Sequence, residues 1–123
     1  MDKTLFIVGA VSGFFTVAIG AFAAHILKSK LTTDMFSVFE VGVRFQMYHA
    51  FAILIAAFAV QWIGGYANTA GWLFLCGTVL FSGSLYALSI SGITWLGAIT
   101  PVGGVLFLAG WASLVIGAIR GKM

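Results

Sequence analysis

The sequence predicts an all-α membrane protein: four antiparallel transmembrane helices, with a short amphipathic surface helix between helices one and two. Three observations point there. Hydrophobic residues make up 62% of the 123 positions and charged residues only 7%, against roughly 45–50% and 25% in soluble domains. Mean hydropathy is +1.14. Four long apolar runs, each free of acidic and basic side chains between its ends, are joined by short connections. A chain this small cannot bury so much apolar surface in water. Disorder is excluded too, because it needs high charge and low hydrophobicity.

The first expected span covers residues 5–27, interrupted only by Ser12, Thr16 and His25. It is about 23 residues, or about 34 Å of helix. Lys3 and Ala21-Phe22-Ala23 imitate a signal peptide, but the apolar stretch exceeds the 7–15 residues of an h-region, so a retained span is expected. The second span covers residues 46–63, the third 70–90 and the fourth 96–119. Gly64 to Thr69 and Ser91 to Trp95 are the short turns, which favour antiparallel neighbours. Trp62, Tyr66, Trp72 and Trp95 stand where interfacial aromatic belts are expected.

Residues 33–45 read as the surface helix of a single domain spanning 1–123. Thr33 or Asp34 is suited to cap it. Asp34, Ser37, Glu40 and Arg44 form one polar stripe, while Met35, Phe36, Val38, Phe39 and Val43 cover much of the rest. The alternative is a longer second helix with a polar first turn.

Net charge is +3, and all six basic residues lie near span ends. Lys3, Arg120 and Lys122 sit on the terminal side, with Lys28, Lys30 and Arg44 opposite. If Arg44 pairs with Glu40 four residues earlier, the balance favours cytoplasmic N- and C-termini. Membrane anchoring accounts for these charges, and nothing supports a nucleic-acid partner. One cysteine, Cys76, excludes an internal disulfide.

Small residues recur at spacing four: Gly9 and Gly13; Ser12, Thr16, Gly20 and Ala24; Gly83, Ala87 and Ser91; Gly117 and Gly121. Such rows allow close helix approach in lipid, within one bundle or between copies as a homo-oligomer.

Following helix direction across the membrane gathers most polar side chains into the half opposite the termini. His25, Glu40, Arg44, Gln46, Tyr48, His49, Ser82, Ser84, Tyr86 and Thr100 are the candidates for one polar pocket there. Polar groups in hydrocarbon need partners and often mark function. Pro101, followed by Gly103 and Gly104, either starts helix four or kinks it. His25 and His49 are the only histidines, and haem or metal ligation by them is a third reading. No cofactor is expected. No catalytic motif is present, and the three acidic residues leave little for acid–base chemistry.

Four runs carry a resemblance: Gly20 to Leu27, Phe45 to Ala50, Phe81 to Tyr86, and Thr100 to Gly104 with Gly110-Trp111. Over essentially the whole chain they resemble the small bacterial membrane proteins of the domain-of-unknown-function-423 family, the YwdK/YgdD-like proteins. Ala23 stands where that family often has glycine, and Phe45 where tyrosine is common. The resemblance implies a multi-pass inner-membrane protein with four helices and supplies no activity. The leading expectation is an uncharacterised, non-enzymatic membrane protein with a structural or accessory role and self-association, in contact with membrane lipid. The alternative is binding or transport of a small polar ligand, a proton, a quinone or a lipid through the pocket.

Overall fold

A computed structural model describes residues 1–121. Four helices dominate: α1 (Lys3–His25), α2 (Thr33–Ile63), α3 (Gly65–Ser91) and α4 (Thr100–Arg120). Single 3₁₀ turns fill Leu27–Ser29 and Thr94–Ala98. There is no strand among the described residues. All four helices are long and apolar enough to cross a membrane. Lys122, counted above with the terminal charges, lies outside the described residues.

Each helix boundary has a local cause. Asp2 caps α1, its carboxylate accepting the Leu5 N–H at 3.1 Å. The helix ends at His25, two residues short of the apolar run, as Leu27 turns into the 3₁₀ segment. Thr32 caps α2 by accepting the Met35 N–H at 3.2 Å, one residue before the expected cap. The expected loop between spans two and three shrinks to Gly64. Its φ of 55° and ψ of −128° suit glycine, so the chain reverses there and is helical again at Gly65. Gly92 ends α3 in the left-handed region at φ 74°. Helix α4 begins at Thr100 with Pro101 in its first turn, where a missing N–H costs nothing.

Residues 33–45 and 46–63 form one continuous helix of 31 residues, rather than a surface helix feeding a separate span. Nothing between Thr33 and Ile63 breaks it: there is no proline, and the single glycine, Gly42, is helical. At 1.5 Å per residue α2 is about 46 Å long, well beyond a hydrocarbon core of about 30 Å. Its first turns keep Asp34, Ser37, Glu40 and Arg44 exposed. The opposite face is covered by protein: buried Phe39 packs with Ala23 and Leu27, flanked by Ile19, Phe36, Val43 and Tyr86.

Contacts at glycines give the helix register. Gly9 meets Leu54 and Gly20 meets Val43 across α1 and α2. Gly117 meets Tyr66, Gly110 meets Phe74, Gly77 meets Phe107 and Gly103 meets Phe81 across α3 and α4. Rising positions on one helix meet falling positions on the next. The main core holds Leu5, Ala52, Ile53, Ala57, Ala70, Phe74 and Phe107. Between hydrocarbon-soluble helices such packing, rather than water exclusion, supplies the stability.

Candidate functional site

The polar side chains inside the spans have few places to go. Lipid offers them no partner, so they must bond within the protein. Helix α2 lies at the centre of these bonds. From it, the Gln46 side chain donates from Nε2 to the Ser12 carbonyl of α1 at 3.3 Å. Its Oε1 accepts the Tyr86 hydroxyl of α3 at 2.6 Å. One turn away, Ser82 donates to the Gly42 carbonyl at 2.6 Å. Tyr86 reaches this far in because Gly42 has no side chain: a Cβ there would lie 2.8 Å from Tyr86 Cε1.

A second pair joins α3 to α4. Ser84 Oγ donates to the Phe81 carbonyl at 2.9 Å and lies 2.6 Å from Thr100 Oγ1. With the serine proton committed to the carbonyl, the threonine hydroxyl is the donor in that contact.

His49 is held on three sides. Its Nδ1 lies 2.8 Å from the Phe45 carbonyl. Trp111 Nε1–H donates to its Nε2 at 3.1 Å. The ring stacks on Phe107 with centroids 3.5 Å apart and planes 5° from parallel. A carbonyl can only accept and an indole N–H can only donate. The geometry therefore selects the neutral imidazole carrying its proton on Nδ1. Phe45 and Phe74 face the ring at centroid distances of 6.3 and 5.5 Å, and Phe81 packs against Phe45 and Phe107.

The other expected pocket residues lie elsewhere. His25, Glu40, Arg44 and Tyr48 are exposed. Glu40 and Arg44 edge a small cavity of 90 Å³ with Gly20, Ala23, Ala24, Phe36 and Val43. By the α1–α2 register, His25 is level with residue 38 of α2 and His49 with residue 14 of α1. They stand about 16 Å apart along the bundle, too far to share a metal or haem. No cluster of three or more metal-ligating side chains occurs among the described residues.

Two groups of polar contacts at the other end, one around Asp2 and one around Tyr66, went unread in the sequence. The Asp2 carboxylate accepts the Leu5 N–H and, at 2.7 Å, the Asn68 amide, while its own N–H donates to the Ala57 carbonyl at 2.9 Å. The Leu5 and Asn68 bonds hold its carboxyl below the usual carboxylate range. Ser113 donates to the Tyr66 carbonyl at 2.8 Å, and Arg120 to the Tyr66 hydroxyl at 3.1 Å. Trp111 was also unread as a partner. Its signal was its place: Trp62, Trp72 and Trp95 stand near helix ends, but Trp111 stands in mid-span, where an indole N–H needs an acceptor.

The comparisons with known proteins fit this architecture. The family model described as a protein of unknown function (DUF423) matches residues 19–104. The UPF0382 membrane protein YwdK of Bacillus subtilis is 43% identical over 120 residues, covering 96% of this chain and 98% of that protein. The UPF0382 membrane protein SH2409 of Staphylococcus haemolyticus is 44% identical over 118 residues, covering 96% and 97%. The UPF0382 inner membrane protein YgdD of Escherichia coli is 44% identical over 122 residues, covering 98% and 93%. No solved structure matches. Near-complete coverage at this identity, with the family model spanning the helices that hold Gln46, His49, Ser82 and Tyr86, establishes that the chain is a membrane protein belonging to the DUF423 family.

Proposed function

We propose that this protein is a non-enzymatic, antiparallel four-helix protein of the bacterial inner membrane with a structural or accessory role. The observation that carries this reading is the use of its intramembrane polar groups. Gln46, Tyr86, Ser82, Ser84, Thr100, His49 and Trp111 bond helix to helix, so none of these seven is free to serve in a nucleophile–base pair. Polar bonds of this kind lock helix register in lipid, where packing forces alone are weakly directional.

Self-association belongs to the same proposal. Helix α1 leaves Ala10, Phe14, Val17 and Ala21 exposed at helical spacing, and beside them a Cβ at Gly13 would meet nothing within 4 Å. A second copy, held in membrane lipid, would cover this stripe. The same proposal puts the termini in the cytoplasm: Lys3, Arg120 and Lys122 lie on that side of the sequence pattern, and Glu40, four residues before Arg44, offsets one of the three cations opposite.

Single-molecule photobleaching of the labelled full chain in liposomes tests the assembly. Two-step bleaching that persists on lipid dilution and falls to one step in Gly13→Ile is expected. One-step bleaching at every protein-to-lipid ratio would overturn the self-associating scaffold.

A further inference from the structure

Helices α1 and α3 touch where Leu5 fills the space above Gly71. Beyond that point they separate, and a groove of 390 Å³ opens between them. Ile7, Val11, Ser12, Gln46, Thr78 and Val79 are among its lining residues. Its rim is apolar and exposed, with Ile7, Val11 and Val79 all outward, so it faces hydrocarbon. Its floor is not apolar. The Ser12 and Thr78 hydroxyl oxygens are buried and have no hydrogen-bond partner among the described residues. Thr78 is 7% exposed.

Serine and threonine in membrane helices ordinarily bond back to their own helix. Thr16 does so to the Ser12 carbonyl at 2.6 Å, and Ser91 to the Ala87 carbonyl at 2.5 Å. Ser12 and Thr78 do not. Gln46 adds a third group: one Nε2 hydrogen is used on Ser12, and an amide has two. The groove therefore offers up to three donors and no charged side chain. A bare set of such groups in hydrocarbon is costly, and a neutral oxygen acceptor answers it.

Depth narrows the acceptor. Ser12 lies nine residues beyond Lys3, about 14 Å along the axis, near the middle of a core about 30 Å thick. Ester carbonyls of phospholipids stay near the headgroups. A carbonyl able to rest at mid-depth belongs to a wholly lipophilic molecule.

We propose that the α1–α3 groove binds one neutral, carbonyl-bearing lipophile of the quinone type, its carbonyl oxygen accepting from Thr78 and from either Ser12 or the free Gln46 N–H. The ligand enters sideways from the bilayer.

The test uses the full chain in phosphatidylcholine nanodiscs. A photoreactive azidoquinone labels it, and the labelled peptides are mapped by mass spectrometry. Labelling within residues 7–15 and 75–79 is expected, displaced by decylubiquinone and not by excess phosphatidylglycerol. Thr78→Val keeps the side-chain shape and removes the unpartnered hydroxyl. It should weaken decylubiquinone competition about tenfold, the worth of one good hydrogen bond, without lowering the melting temperature. Val79→Phe, filling the groove, should abolish displaceable labelling, whereas Leu108→Phe, in the separate groove between α2 and α4, should not. Displacement by phosphatidylglycerol as readily as by decylubiquinone would overturn the quinone-type ligand and leave only an acyl-lipid contact. Scattered labelling, or unchanged competition in both groove variants, would overturn the site. A lower melting temperature for Thr78→Val would show that its hydroxyl is used by the fold itself, and would also overturn it.

Discussion

Replacing Gly103 by alanine tests whether the α3–α4 seam is held at glycine distance. A methyl at position 103 would lie 2.5 Å from the Phe81 nitrogen and 2.8 Å from its Cα. These are backbone atoms, which cannot swing aside as a side-chain tip can. Ordinary contacts begin near 3.5 Å, so the helices must part by about 1 Å. The same seam is equally close at Gly77, Gly110 and Gly117, where a Cβ would stand 2.5, 2.5 and 2.6 Å from Phe107, Phe74 and Tyr66. A 1 Å gap forfeits up to about half of each dispersion contact it opens. Overpacking costs about 1–3 kcal/mol, and a backbone clash belongs at the upper end. Better helix propensity returns up to about 1 kcal/mol, for a net loss of about 2 kcal/mol. Gly83→Ala, on α3 and away from the α1 stripe, is the matched control. It meets nothing within 4 Å and should gain roughly 0.5–1 kcal/mol. Reversible unfolding by dodecyl sulfate, followed by tryptophan fluorescence in one micelle system, reads both. Gly103→Ala at or above Gly83→Ala in stability would refute the reasoning.

Other outcomes follow from the polar pairs. Trp111→Phe removes the donor to His49 Nε2 and should cost about 1–3 kcal/mol in the same unfolding assay. Thr100→Val breaks the Ser84 pair and should cost less, about 0.6 kcal/mol, the average for such bonds in a membrane. The Asp2 carboxyl is depressed by Leu5 and Asn68. Its stabilising contribution is therefore complete above the unfolded value near 3.9 and is lost as pH falls through the lower folded value. An acid melt should show this loss in the wild type and a smaller one in Asn68→Ala. Arg44→Ala, at an exposed position, should change the melting temperature no more than Lys30→Ala does.

The four long helices were legible because apolar runs of this length in so uncharged a chain have no other stable solution. Their limits were less so. Leu27 is as apolar as the residues before it, yet it lies beyond the helix end at His25. Polarity at residues 34, 37, 40 and 44 marked an outward face correctly without telling whether a helix stops at Arg44. The reason it continues is tertiary: Phe39 and its neighbours are covered by α1 and Tyr86. Small-residue spacing likewise names a helix face and not what fills it. Gly9 lies under Leu54, while Gly13, one turn on, is open. At the candidate site, polarity at depth signals that a partner is needed. Identifying Trp111 as the partner of His49, or Ser12 as that of Gln46, requires the register of helices 34 to 62 residues apart.

The state of the His49 ring tests most directly whether the intramembrane polar groups serve the fold. Nitrogen-15 NMR of histidine-labelled protein, with His25→Gln removing the second signal, distinguishes the two ring nitrogens. A neutral ring protonated on Nδ1, with an Nε2 resonance that shifts on Trp111→Phe, is the expected result. A ring protonated on Nε2, or one indifferent to Trp111, would contradict the helix-to-helix pairing on which the structural role rests.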